Sequence, residues 1–160
     1  MTAVAAAGSA VLLASSLFLG YSTLRVKNAV IRNTRSLADL VRFIRSDITY
    51  FLTPLDGLFA AFADENLEKE GFSAVLRANG LAAALDSGTL VLSPGTEKIM
   101  REFAASIGKG LRDGEINLCD CTVERLTAEE ERLREELEKR RDVYRFVPPL
   151  GALFLILCLM

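Results

Sequence analysis

The charged residues of this 160-residue chain all lie between Arg25 and Arg145. That window holds the 19 Lys+Arg and the 21 Asp+Glu, so residues 1–24 and 146–160 are uncharged and apolar. A membrane-spanning helix needs about 20 apolar residues, and the first end meets this length. The second end is shorter and reaches only about 22 Å as a helix, at ~1.5 Å per residue. We therefore predict a transmembrane anchor at 1–24, a domain at 25–145 and a short transmembrane segment at 146–160.

Basic residues border both apolar ends on the side of the central domain. Arg25 and Lys27 follow the first end, and Lys139, Arg140 and Arg145 precede the second. Because basic residues mark the cytoplasmic side of a span, we expect a cytoplasmic domain held in the cell membrane at both ends. Two alternatives stay open. The first end could be a secretory signal peptide, although it lacks a preceding basic segment, and the second could be the core helix of a soluble protein.

The central domain shows the periodicity of helices. Its apolar residues recur at three- and four-residue steps, which place them on one helical face. The TLVL segment at 89–92 is too isolated to build a sheet. The predicted fold class is therefore all-α, a helical bundle domain between the two transmembrane segments. In a first helix expected from Asn28 to Leu52, the apolar face comprises Val30, Leu37, Leu40, Val41, Ile44, Ile48, Phe51 and Leu52.

Two pairs of a hydroxyl residue and a proline mark helix starts. Ser and Thr suit the N-cap, and Pro suits the first helical position. Thr53-Pro54 is therefore predicted to separate two helices, and Ser93-Pro94 to open another.

Glycines and an Asp-Gly pair predict the remaining breaks. Two short helices are expected over 72–76 and 81–85, bounded by glycines. The helix that opens after Ser93-Pro94 is expected to extend its apolar face to Leu111 and to end in a turn at Asp113-Gly114. The bounding glycines are Gly71, Gly80 and Gly88.

The longest helix is predicted from Glu115 to Arg145. Its apolar residues alternate three- and four-residue steps in a heptad-like pattern. Glu130 and Arg140 interrupt this pattern, which favours a helix packed across a bundle over a coiled coil. The predicted seam comprises Ile116, Cys119, Val123, Leu126, Leu133, Leu137 and Tyr144.

The other face of this last helix is highly charged. Pairs such as Glu135–Lys139 have the favourable i,i+4 order, which stabilises a helix by ~0.2–0.5 kcal/mol per pair. The face is either a solvated surface or a binding surface for a cytosolic partner. In the second case Arg134, Glu135 and Glu138 are the candidate contacts.

The composition gives little support to catalysis. Histidine, the commonest general base and transition-metal ligand, is absent. Cys119 and Cys121 would point about 200° apart on a helix, and further zinc ligands are missing nearby. We predict no catalytic, metal-binding or cofactor-binding residue and no enzyme, with Glu115 or Asp113 as the acids of the alternative. The net charge of −2 and the lack of a basic stripe give no indication of nucleic-acid binding.

Two short segments carry a resemblance to a known family. The first is ITYFLTPL at 48–55, and the second is IGKGL at 107–111. With the overall layout, they resemble the stage III sporulation protein AB family of endospore-forming bacteria. Arg112 and Cys119 depart from the family pattern. Glu115 stands where that pattern has an aspartate, so the position remains acidic. The residues that carry the first segment are Ile48, Tyr50, Thr53, Pro54 and Leu55.

The resemblance implies a specific cellular role. Members of the family sit in the mother-cell membrane facing the forespore, in a transenvelope channel that resembles a secretion system. Their soluble domain is similar to that of the type II secretion platform protein. The implied partners are a cytosolic secretion-type ATPase, other membrane subunits of the channel and the lipid bilayer. Contacts are expected at the Tyr50–Leu55 break and on the last helix. A generic membrane-tethered helical module of another secretion or signalling system is the alternative.

Overall fold

The computed structural model describes residues 2–50 and 55–159, and within them the side chains of 21–50 and 57–139. The described residues form helices and connecting loops without a strand, which confirms the all-α prediction. The helices are α1 (Thr2–Tyr50), α2 (Leu55–Ala61), α3 (Glu65–Lys69), α4 (Phe72–Asp86), α5 (Pro94–Ser106) and α6 (Arg112–Leu159).

The chain divides into two compact units. Unit 1 comprises Met1–Asn28 and Arg134–Met160, and unit 2 comprises Ala29–Leu133. The long helices α1 and α6 therefore each contribute to both units. Within the part of the chain that the structure describes, no helix is long and apolar enough to cross a membrane. The apolar ends on which the membrane prediction rests have side chains outside that description, apart from residues 21–24.

The core of unit 2 forms around the predicted apolar face of α1. Leu37, Leu40, Val41 and Ile44 are fully buried on this face, and Ile48 is half-buried against the same cluster. Phe51 and Leu52, which were predicted to extend the face, lie outside the described residues. Each fully buried Leu or Ile contributes about 1.5–3 kcal/mol relative to an exposed side chain. The largest fully buried side chains from the other helices are Leu58, Leu67, Phe72, Leu76, Met100, Phe103 and Leu126.

Local capping fixes the helix boundaries of unit 2. Ser93 caps α5, because its hydroxyl accepts a 3.0 Å hydrogen bond from the backbone N–H of Thr96, and Pro94 occupies the first turn as predicted. Gly80, at φ 80° and ψ 178°, interrupts α4 where the sequence predicted a break between two short helices. The short helix α3 was not predicted; Asp64 caps it by accepting from Leu67 N at 2.8 Å.

The loop before α6 differs from the prediction. The apolar face of α5 does not extend to Leu111, which is 87% exposed, because the helix ends at Ser106 and Gly108 adopts φ 81°. The predicted turn at Asp113-Gly114 is wrong, since both residues lie in the first turn of α6. Acidic residues favour a helix N-terminus, so Asp113 belongs there on electrostatic grounds.

The described part of the α6 seam follows the heptad prediction. Cys119, Leu126 and Leu133 are buried at seven-residue intervals, and Val123 is half-buried between them. Thr122 is buried on the same side although it was not predicted there. Heptad spacing keeps one side of a helix against its neighbours over several turns, so α6 packs continuously on unit 2 as far as Leu133.

Candidate functional site

The carboxyl-terminal end of α1 packs against the start of α6. The guanidinium of Arg112 donates to the backbone carbonyl of Thr49. Farther along, Arg45 pairs with Asp120 through two of its guanidinium nitrogens, Nε and Nη2, and Nη2 lies 3.1 Å from Oδ2. The hydrogen bond and charge of Asp120 raise the pKa of Arg45. The side chains of the pair are nearly half exposed, so solvent screening keeps its contribution to stability small.

These contacts bring together the two segments that carried the family resemblance. The first segment ends its described part at Tyr50, directly after Thr49, and the second ends at Leu111, directly before Arg112. The Arg112–Thr49 hydrogen bond therefore joins segments about 60 positions apart in the chain. Sequence reasoning placed the two segments separately, and the structure places them at one end of unit 2.

Glu115 holds the loop between α5 and α6 in one conformation. Its Oε2 accepts from Gly108 N at 3.0 Å, and its Oε1 accepts from Gly110 N at 2.6 Å. The residue is 7% exposed, and hydrogen bonds from N–H groups to a carboxylate are stronger than neutral ones. A Cβ at Gly110 would lie 3.1 Å from Oε1, so glycine gives the carboxylate close access to the backbone. Glu115, which keeps the acidic character of this position in the family pattern, thus fixes the conformation of the loop.

The stabilised loop presents a mixed apolar and basic surface. We call Tyr50, Lys109, Leu111 and Arg112 the loop-end surface. Tyr50 is 75% exposed and Leu111 is 87% exposed, while Lys109 and Arg112 are also exposed. An open depression of about 520 Å³ adjoins it. The depression is lined by Ala105, Ser106, Lys109, Gly110, Gly114, Glu115 and Leu118.

The predicted contacts at the Tyr50–Leu55 break are described only in part. Tyr50 ends α1 with an exposed side chain. Thr53 and Pro54 lie outside the described residues. Leu55 begins α2, and its side chain is not described. Their partner-binding role stays a prediction.

The predicted contacts on the last helix are exposed. Arg134, Glu135 and Glu138 lie on the part of α6 that belongs to unit 1, whereas Tyr50 belongs to unit 2. The Glu135 carboxylate forms the predicted i,i+4 pair with the Lys139 ammonium at 3.3 Å. Both side chains are largely exposed, so this pair is consistent with a solvated face as well as with a binding surface.

The two cysteines of α6 have opposite environments, as their spacing predicted. Cys119 is fully buried and Cys121 is exposed, and both are free thiols. Burial raises the pKa of the Cys119 thiol to about 11, with a smaller contribution from the charge of Glu115. A thiol with this pKa stays protonated at neutral pH and reacts slowly. In the described part of the chain, no group of three or more Cys, Asp and Glu side chains is placed to hold a metal ion.

Comparison with known families identifies the chain. The family model for stage III sporulation protein AB matches residues 65–160. The chain belongs to this family. It is therefore a sporulation protein. No curated protein and no solved structure matches it. The matched range includes the loop between α5 and α6 and the whole of α6, whereas the segment at 48–55 lies before it.

A second polar cluster, which the sequence analysis missed, lies inside unit 2. Thr34 donates to Val30 O at 2.9 Å, and the hydroxyls of Thr34 and Thr96 are 2.9 Å apart. Because the Thr34 proton is used on Val30, Thr96 donates to Thr34. The hydroxyl of Ser93 lies 2.8 Å from Glu129 Oε1, and a carboxylate is the stronger acceptor for its single proton. The cluster therefore connects α1, α5 and α6 through satisfied hydroxyls.

An amide chain extends this cluster toward α3. Asn33 Nδ2 donates to Val91 O at 3.0 Å, and Asn66 Nδ2 donates to Asn33 Oδ1 at 2.8 Å. Asn33 is 1% exposed, and a buried amide without hydrogen-bond partners would destabilise the fold. Both of these hydrogen bonds therefore contribute to the stability of the folded state. A signal for the cluster was present in the sequence, because the apolar face of α1 has a gap between Val30 and Leu37. Asn33 and Thr34 fill that gap.

Glu129 is the acidic member of the polar cluster. Its side chain is 11% exposed and accepts from Arg132 Nε at 2.8 Å as well as from Ser93. The hydrogen bond from Arg132 lowers the pKa of Glu129, and Ser93 adds to the effect against the opposing influence of burial. The sequence analysis identified Glu130 as the acid that interrupts the α6 seam, and Glu130 is half-buried. Its neighbour Glu129 is bonded to Ser93, the N-cap residue of α5.

Proposed function

We propose that the chain is a non-enzymatic membrane component of a sporulation transenvelope channel that resembles a secretion system. In this role it is a platform or adaptor for a cytosolic secretion-type ATPase, together with other membrane subunits. It lies in the mother-cell membrane facing the forespore, with unit 2 in the cytoplasm. The observation that carries the proposal is the family match over residues 65–160.

The distribution of charge supports membrane attachment with this orientation. Unit 1 contains seven basic and four acidic residues, for a net charge of +3, whereas unit 2 has a net charge of −5. The basic residues of unit 1 border the uncharged ends at 1–24 and 146–160. Cytoplasmic flanks of spans are enriched in Lys and Arg, and such flanks also attract anionic lipid headgroups.

The hydrogen bonds of Glu115 and Glu129 support a role without catalysis. Both oxygens of Glu115, one of the two acids of the enzyme alternative, accept backbone hydrogen bonds from the loop. The partly buried Glu129 accepts hydrogen bonds from Ser93 and Arg132. Both carboxylates thus have structural partners, and a well-packed domain can transmit force or conformation between a motor and membrane subunits.

The exposed thiol of Cys121 offers a direct test of orientation. In a full-length chain with Cys158→Ser, a membrane-impermeant maleimide should label Cys121 only after the cell membrane is permeabilised. Adding Cys121→Ser should abolish this labelling, because the remaining Cys119 is buried and protonated. Equal labelling of intact cells would place unit 2 outside the cytoplasm and would remove the argument for a cytosolic ATPase partner.

A genetic and a binding experiment test the role itself. Deleting the gene in its host should block spore formation, and the purified full-length chain in detergent should bind the secretion-type ATPase of the same organism. A dispensable gene together with a chain inert toward that ATPase would contradict the proposal.

A further inference from the structure

Two arginines on the exposed side of α1 differ from the other arginines of unit 2. Arg32 and Arg35 are exposed, and within the described residues they form no ion pair and no side-chain hydrogen bond. Each of the other arginines of unit 2 has a partner. Arg112 donates to the carbonyl of Thr49, and the rest form ion pairs with acids. The charges of Arg32 and Arg35 are therefore available to a partner.

Arg42 belongs to the same face of α1. It lies seven residues after Arg35, so its side chain projects in nearly the same direction. We call Arg32, Arg35 and Arg42 the basic row. Asp39 is the acid on this face, and it is paired with Arg42 at 2.6 Å. The face thus carries three arginines and one aspartate, a net charge of +2.

A row of opposite charge lies on α6. Glu124 and Glu131 are exposed, and within the described residues they too form no ion pair or side-chain hydrogen bond. They stand three residues before and four residues after Thr127, which places all three on one helix face. Asp120, seven residues before Thr127, extends this face and is paired with Arg45. We call Asp120, Glu124 and Glu131 the acidic row.

The two rows run side by side along the surface of unit 2. Arg42 Nη2 donates to Thr127 Oγ1 at 3.4 Å, and Arg45 pairs with Asp120. Because the residue number falls on α1 where it rises on α6, the two helices are antiparallel here. The step from Arg42 back to Arg35 therefore leads in the same direction as the step from Thr127 to Glu131.

Adjacent rows of opposite charge restrict the chemistry of the partner. An acidic surface is attracted by the basic row and repelled by the acidic row, and a basic surface meets the reverse. A partner that matches both rows must carry them in exchanged positions. A second copy of this chain does so when a twofold axis runs parallel to the helices, because the rotation lays α1 of each copy over α6 of the other at the same height.

We infer that the two rows form a self-association surface, on which the basic row of each copy docks against the acidic row of a second copy. Arg32 and Arg35 of one copy then face Glu124 and Glu131 of the other. The rotation also leaves both copies pointing in the same direction, as attachment to one membrane requires. The contact goes beyond the proposed function and does not depend on the ATPase.

Self-association of the full-length chain in detergent, measured by analytical ultracentrifugation, tests the inference. The wild type should form dimers that weaken as added salt screens the charges of the two rows. Arg35→Glu and Glu131→Arg should each weaken the dimer Kd about tenfold, because each variant places like charges opposite each other. Lys98→Glu is the control, since Lys98 is exposed on α5 and outside both rows.

The double variant, Arg35→Glu with Glu131→Arg, tests the pairing itself. The exchange restores opposite charges on both sides of a twofold contact, so the dimer Kd should return to within about threefold of the wild type. Recovery of this kind cannot result from misfolding. Urea midpoints of all the variants should stay close to that of the wild type, because the substituted residues are exposed.

Three outcomes would overturn the inference. A wild-type chain that stays monomeric would do so directly. Single variants with the wild-type Kd would assign self-association to another part of the chain, such as the apolar ends. Weakened single variants without recovery in the double variant would exclude the twofold pairing of the rows. Neither spore formation nor ATPase binding enters this experiment, so its failure leaves the proposed function untouched.

Discussion

Two acids of α6, the buried Glu115 and the partly buried Glu129, are engaged in different ways. Glu115 accepts from the backbone of a loop five to seven residues before it, whereas Glu129 accepts from the side chains of Ser93 and Arg132. Backbone N–H groups cannot move to new partners without rearranging the loop. Hydroxyl and guanidinium groups can re-pair with neighbours or with water. The first acid therefore controls a local conformation, and the second adds a replaceable link between helices.

The largest expected effect is that of Glu115→Ala. Removing the carboxylate deprives two part-buried N–H groups of a charged acceptor, which should lower the free energy of unfolding by about 2–3 kcal/mol. Urea denaturation measures the change. Asp113→Ala is the control, because Asp113 is exposed in the same first turn, and its effect should stay within about 0.5 kcal/mol. Equal losses for the two variants would mean that the loop does not depend on Glu115.

Glu129→Ala should cost less, about 1 kcal/mol. Ser93 can turn its proton to the Thr96 hydroxyl, 3.0 Å away, and the half-exposed Arg132 can return to water. The same denaturation experiment applies, with the exposed Glu124→Ala as control. A loss larger than that of Glu115→Ala would reverse the ranking of the two acids.

A pair of glycines tests the loop further, with effects of opposite sign. Gly108 has φ 81°, which other residues rarely adopt, so Gly108→Ala should destabilise by about 1 kcal/mol. Gly114 lies in the first turn of α6, where an added Cβ meets no atom within 4 Å. Gly114→Ala should therefore stabilise by a few tenths of a kcal/mol, up to about 1, through helix propensity. Thermal melts of both variants check the sign.

The smallest expected effect is the pH dependence at Glu129. Because Arg132 and Ser93 hold its pKa below the ordinary 4.5, the charged form is favoured in the folded state. This contribution to stability is complete above pH 4.5 and is lost as the pH falls through the folded-state pKa. The difference in unfolding free energy between wild type and Glu129→Gln should therefore shrink in acid. A difference that stays constant between pH 7 and pH 3 would contradict the assignment.

The sequence predicted the repetitive parts of the fold well. The apolar face of α1 and the seam through Cys119, Leu126 and Leu133 follow from helical periodicity, since burial repeats every three to four residues. The start of α5 follows from Ser93-Pro94, whose capping and dihedral preferences are local. The loop before α6 was predicted less well. Asp113-Gly114 has the composition of a turn, but Glu115 stabilises a loop that ends earlier, and α6 begins at Arg112.

The candidate site was predicted only in pieces. The segments around Tyr50 and Leu111 were recognised as motifs, but their meeting depends on Arg112 reaching the carbonyl of Thr49. The only sequence signal of the polar cluster around Thr34 and Thr96 was a gap in the apolar face of α1. Hydrogen bonds between residues distant in the chain leave no periodic trace in the sequence, so a single sequence cannot reveal them.

The sequence by itself determined the helical class, the two uncharged ends and the absence of histidine, because composition and period are properties of the chain alone. Only the tertiary structure decided which polar groups became buried partners and which apolar groups stayed exposed. Glu115 and Leu111 lie four positions apart, and composition gives no reason to bury the acid and expose the leucine. The physical reason is the loop itself, whose backbone donors compensate the buried charge and leave Leu111 at the surface.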